Sequence, residues 1–134
     1  METYESFVES WKETSQDMKE IFTGLKKMLD AMGDVTFDFK GRPGISFSLR
    51  AKHLRQKTRN LFAMIDVIDD DPENRWLSVC FYGDLISDPE ERGDLVPGGL
   101  LGEDGHCFDI SDPDREMIAY VEERLREAFV NASA

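Results

Sequence analysis

No stretch of this chain approaches the roughly 20 consecutive apolar residues of a membrane helix, so no membrane-spanning helix is expected. Its first residues, Met1-Glu-Thr-Tyr-Glu, are acidic and lack the basic-then-apolar order of a secretion signal. There are two cysteines, Cys80 and Cys107. With no secretion signal, they fit free thiols in a reducing cytoplasm. Neither Cys-x-x-Cys nor His-x-x-x-His spacing occurs, and adjacent His106 and Cys107 on a strand point to opposite faces, so no metal site is expected. The same geometry argues against a Cys–His nucleophilic pair. The acidic run Asp69-Asp70-Asp71-Pro72-Glu73 lacks the alternation and glycine of a calcium loop. Gly98-Gly-Leu-Leu-Gly-Glu-Asp-Gly has no Lys-Ser/Thr and opens no helix, so it is not a phosphate cradle. Paired catalytic carboxylates and triad spacings are missing too. No cofactor and no catalytic residue are expected.

Acidic residues are absent from one window, Phe39 to Ile65, which holds Lys40, Arg42, Arg50, Lys52, Arg55, Lys57 and Arg59. Those are seven of the 16 Lys and Arg, against 28 Asp and Glu elsewhere, for a formal net charge of −12. So acidic a chain has no general attraction for phosphate backbones, which disfavours nucleic acid and makes the basic island the feature to explain. The 134 residues are 40% hydrophobic, with nine Phe and two Trp, enough for one core and one domain spanning 1–134.

Apolar residues from Tyr4 to Met32 recur at helical spacing. A seam through Val8, Trp11, Met18, Phe22, Leu25 and Leu29 alternates steps of four and three, with a polar defect at Ser15. A straight helix of that extent is about 40 Å long. Either it overhangs, residues 1–14 being an extension that meets another chain, or it breaks near Glu13–Gln16, where Thr14 can cap a second helix. From Val35 the period becomes two. Strands are expected at 35–39, 45–52, 61–68, 76–82 and 106–110, with an irregular glycine-bearing stretch from Gly83 to Gly105. Strand 61–68, apolar almost throughout, is expected to be covered on both faces. Asp112 and Pro113 open a closing helix whose stripe runs through Met117, Val121, Leu125 and Phe129. Short links between strands imply an antiparallel meander. The expected fold is therefore two-layer α+β, a sheet of about five strands with N- and C-terminal helices on one face.

Loops of a meander alternate ends. The basic loop 53–60 and the acidic stretch 83–105 thus share one end, and the Arg42 turn and the 69–73 turn share the other. Three readings follow for the island: mutual neutralisation with the acidic stretch, an anion site formed by Arg50, Lys52, His53, Arg55 and Arg59, or an ordinary solvated surface. Asp66 sits inside an apolar strand, where a charge needs a partner such as Arg50. Phe62, Met64, Trp76 and Tyr82 line the second face of the sheet. They form a pocket or an interface there, unless Leu95, Val96, Leu100 and Leu101 fold over them as a lid.

Arg75-Trp-Leu-Ser-Val-Cys-Phe-Tyr, Gly99-Leu-Leu-Gly-Glu-Asp-Gly-His-Cys-Phe-Asp-Ile-Ser-Asp-Pro-Asp-Arg-Glu and the closing helix ending Glu127-Ala-Phe resemble the bacterial family called domain of unknown function 5655. The resemblance covers about residues 16–130. The chain departs from it in the N-terminal helical turns and in the acidic stretch Asp88–Leu95. The family brings no catalytic residues, and the resemblance implies a binding or accessory role. The expectation is a cytoplasmic, homodimeric binding or regulatory module for an anionic ligand or a protein, with the N-terminal helix as a second docking element. The alternative is a small hydrolase or nuclease-associated enzyme with a pocket under 83–105.

Overall fold

The computed structural model of the chain describes residues 2–12 and 17–133. Two helices lead, α1 (Tyr4–Ser10) and α2 (Met18–Met32). Strands β1 (Val35–Arg42), β2 (Ser46–His53), β3 (Ala63–Ile68), β4 (Trp76–Tyr82), β5 (Asp94–Leu100) and β6 (Glu103–Ile110) follow, and helix α3 (Arg115–Ala132) closes the chain. The strands form one antiparallel sheet in the order β1-β2-β3-β4-β6-β5. The fold is α+β with the N- and C-terminal helices packed on the sheet, which has six strands rather than about five.

The additional strand is β5. It lies within the stretch expected to be irregular, because its sequence, DLVPGGL, has no alternation and carries Pro97 and two glycines. Proline is tolerated at a sheet edge, where one row of N–H groups has no strand to meet. Here β5 is that edge, paired only to β6, with a register shift between Val96 and Leu100.

The N-terminal helical pattern is divided in two. Thr3 caps α1 in a reciprocal capping box with Ser6. α2 starts after Asp17, which is left-handed at φ 56°. The expected break at Glu13–Gln16, with its Thr14 cap and Ser15 defect, lies outside the described residues. The first helix does not overhang. Phe7 is 1% exposed and stacks on Phe47 at 4.1 Å between ring centroids, and Trp11 lies at 5.4 Å from Phe7. α3 starts two residues later than expected, with Asp114 accepting from the backbone N–H groups of Glu116 and Met117.

The apolar stripes of α2 (Phe22, Leu25, Leu29) and α3 (Val121, Leu125, Ala128) bury against one face of the sheet, where Leu49, Ile65, Val67, Val79, Phe81 and Phe108 are also buried. The seam expected to seek another chain is thus occupied by the molecule's own sheet. No helix among the described residues is long and apolar enough to cross a membrane.

Candidate functional site

Residues alternating with that core point to the other face of the sheet, which no helix among the described residues covers. The register aligns them in rows across the strands. One row is Lys40–Ser48–Asp66–Ser78–Asp109 and the next is Asp38–Arg50–Met64–Cys80–Cys107–Asp94. A third runs Arg42–Ser46–Ile68–Trp76. β3 is therefore not covered on both sides: Ala63, Ile65 and Val67 are buried, while Met64, Asp66 and Ile68 are half-buried.

Asp66 is the polar centre of this face. Burial raises its carboxyl above the usual range, and Ser48, Arg50 and Arg42 offset this only in part. Its Oδ1 is buried without a hydrogen-bond partner. Arg50, the partner expected from sequence, turns its Nε to the Ser48 hydroxyl at 3.3 Å. Beside Asp66, Ser78 Oγ lies 3.5 Å from Cys80 Sγ.

Cys80 and Cys107 are directly opposite each other on β4 and β6 and are joined as a disulfide, with Cα atoms 4.1 Å apart. The expectation of free thiols is overturned. The register of β4 and β6 brings these residues, 27 apart in sequence, onto facing positions.

Charge is segregated across the face. β1 and β2 place Lys40, Arg42, Arg50 and Lys52 there against Asp38 alone. β5 and β6 contain no Lys or Arg and place Asp94 and Asp109 there. Burial, and then the neighbouring Asp94, raise the Asp109 carboxyl. Between these edges lie Met64, Ile68, Trp76 and the disulfide.

The structure does not gather the five basic residues expected to form an anion site. Arg50 and Lys52 are on the uncovered face. His53 is fully buried on the helix side, 4.6 Å from the Phe129 ring, with Nδ1 accepting from the Arg55 N–H and Nε2 unpartnered. Arg55 pairs with Asp34 at 3.1 Å. Arg59 bridges Asp84 at 2.6 Å and Glu103 at 2.9 Å. Loop 53–60 and stretch 83–105 do share one end, and Arg59 neutralises carboxylates of the latter. The turn after Arg42 meets the acidic turn at the other end, where Gly44 donates to Asp69 at 2.8 Å.

Of the four second-face residues, Met64 and Trp76 are half-buried on the uncovered face. Tyr82 is 3% exposed beneath the Arg59 guanidinium, 4.1 Å from its ring. Phe62 instead packs edge-on against Phe129 of α3 at 5.8 Å. Of the four lid residues only Leu100 is buried. It lies over Gly105, where a Cβ would come within 3.1 Å of it. Leu95, Val96 and Leu101 are exposed.

Two polar clusters were not anticipated. Asp69, the first residue of the acidic run 69–73, is 3% exposed and pairs with Arg75 at 2.7 Å. Asp88 fastens the β4–β5 connection to α3. It accepts from Tyr120 Oη and from the backbone N–H groups of Arg92 (3.0 Å) and Gly93 (2.9 Å), and it meets His106 Nε2 at 2.8 Å. Burial alone would raise this carboxyl, but these bonds hold it well below the usual carboxylate range. Ser87 to Glu127 and Asn131 to the Leu85 carbonyl add two further ties. Sequence periodicity carries no trace of the ties to α3, which join residues 32 to 46 positions apart.

A groove of about 510 Å³ runs between the start of α1 and β1, lined in part by Tyr4, Lys26, Phe37 and Phe39. Lys26 closes over two of those rings, Tyr4 and Phe37. No protein-family model, curated protein or solved structure matches the chain.

Proposed function

We propose that this chain is a binding module that works without catalysis and docks a protein on the uncovered face of its sheet. One observation carries the reading: half-buried Met64, Ile68 and Trp76, grouped around Asp66 and flanked by opposite charges, are left outside the helical layer. A partly exposed apolar group of that kind, flanked by charge, marks an interaction surface. Of the two ligand classes expected from sequence, the protein is favoured over the anion. Arg55 and Arg59 are committed to carboxylates, and His53 faces the core. The remaining cations are spread along two strands, which suits an extended partner better than a single small anion. The hydrolase alternative places a pocket under 83–105, but the first half of that stretch is bonded down onto α3.

The resemblance to the domain of unknown function 5655 family supports the same accessory role in a bacterial cell. A cytoplasmic setting is part of the proposal, and there the Cys80–Cys107 bond would be a reversible one.

Oxidative footprinting tests the docking face. Met64 and Trp76 are expected to be modified in dilute purified protein. Partner-containing extract of the cells that make the protein, or high concentration of the protein itself, should protect them. Equal modification under all three conditions would remove the proposal.

A further inference from the structure

We propose that the partner on the uncovered face is a second copy of this chain, related by a twofold axis that runs along the strands between β3 and β4. The inference rests on reading that face as a docking surface, and the distribution of charge carries it further. The β1–β2 side presents four cations and one carboxylate. The β6–β5 strands present Asp94 and Asp109 and contribute no cation, and a cation beside them, Arg59 over Tyr82, is bridged to Asp84 and Glu103. A surface that is positive on one side and negative on the other is complementary to itself under one rotation only.

The two ways of stacking the sheets with twofold symmetry differ in sign. An axis across the strands lays β2 on β2 and β6 on β6, so like charges meet. An axis along the strands lays the β1–β2 side of each copy over the β6–β5 side of the other, so opposite charges meet twice. That axis also gathers Met64, Ile68 and Trp76 of both copies around Asp66 and Ser78 in the middle, and leaves the strand charges at the rim. Lys40 and Asp109 stand at the two ends of one cross-strand row. In the favoured arrangement the Lys40 of each copy comes above the β5–β6 side of the other, near its Asp109.

The extent of the face is sufficient. Six strands about 4.8 Å apart, each roughly six residues long at ~3.3 Å per residue, span on the order of 550 Å². Two such faces bury about 1,100 Å², above the ~1,000 Å² expected of a specific interface. Aligned sheets packed ~10 Å apart are an established way for two such layers to meet.

Sedimentation velocity of the full chain over a concentration series tests this. The unaltered protein should show a reversible monomer–dimer equilibrium that weakens as salt is raised. Lys40→Glu and Asp109→Lys should each weaken association by about tenfold or more. Both residues are exposed on strand surfaces, and an unchanged thermal melt would confirm that each variant folds. An equimolar mixture of the two variants should recover association. One rim contact then keeps its native pair and the other carries both reversals. A monomer at every concentration, single variants that associate normally, or a mixture that recovers nothing would each overturn the inference. A monomer whose Met64 and Trp76 are nevertheless protected in extract would overturn the second copy alone and leave the docking face standing. Absence of protection anywhere would remove both.

Discussion

Asp66 shows how one residue registers the state of the uncovered face. Its carboxyl is raised by burial, so folding favours the protonated form. The sign follows directly. Stability associated with Asp66 is fully present below its unfolded value, about 3.9, and is lost as pH rises through the higher folded value. Asp66→Asn should therefore stabilise the monomer at neutral pH by on the order of 1 kcal/mol, with the gain vanishing near pH 4. Urea unfolding at the two pH values checks this, and a loss of stability at neutral pH would contradict it. The disulfide gives a second prediction. It closes a segment of 27 residues, so Cys80→Ser with Cys107→Ser, or reduction of the unaltered protein, should lower stability by about 3 kcal/mol. An unchanged urea midpoint in reductant would refute that. At this scale the sequence was unevenly legible. Asp66 stood out because a charge interrupts an apolar strand. The cysteine bond and the Asp69–Arg75 pair did not, because each depends on strand register or on a turn closing back on itself.

Among the elements, the connection 83–93 depends most on long-range bonds. Asp88 joins it to β6 through His106 and to α3 through Tyr120. Asp88→Ala should cost about 2–4 kcal/mol and raise amide exchange through 85–93, with α2 unaffected. Because the Asp88 carboxyl is depressed, its contribution is present above the unfolded value and is lost as pH falls below about 4. The difference between variant and parent should therefore shrink in acid, and a constant difference would show that the charge is not the cause. β1, β2, β4 and α3 were legible from periodicity because each has one buried face, and β3 from its run of apolar residues, which hid that only one of its faces is covered. β5 was not, since an edge strand with Pro97, Gly98 and Gly99 has almost no buried side to impose alternation. The leading helical pattern was legible as apolar spacing. Its folding back through Phe7 and Trp11 was not, because one stripe serves equally well against a sheet or another chain.

For the molecule as a whole, a formal net charge of −12 conceals a sheet with a positive side and a negative side. The basic window was visible in the sequence because β1, β2 and the following loop are contiguous. Its division among three environments was not. Arg55 and Arg59 of the loop neutralise nearby carboxylates, His53 enters the core, and the strand cations face outward. The last group lies on the uncovered face, and only the sheet order places it across from Asp94 and Asp109. The account's central claim is that this uncovered face is where the protein binds. A map of amide and side-chain chemical shifts from dilute to concentrated protein tests it most directly. Shifts should gather on Lys40, Arg50, Met64, Trp76 and Asp109 while Leu25 and Val121 on the helix side stay fixed. Shifts confined to the helices, or none on the sheet at any concentration and with any partner added, would contradict it.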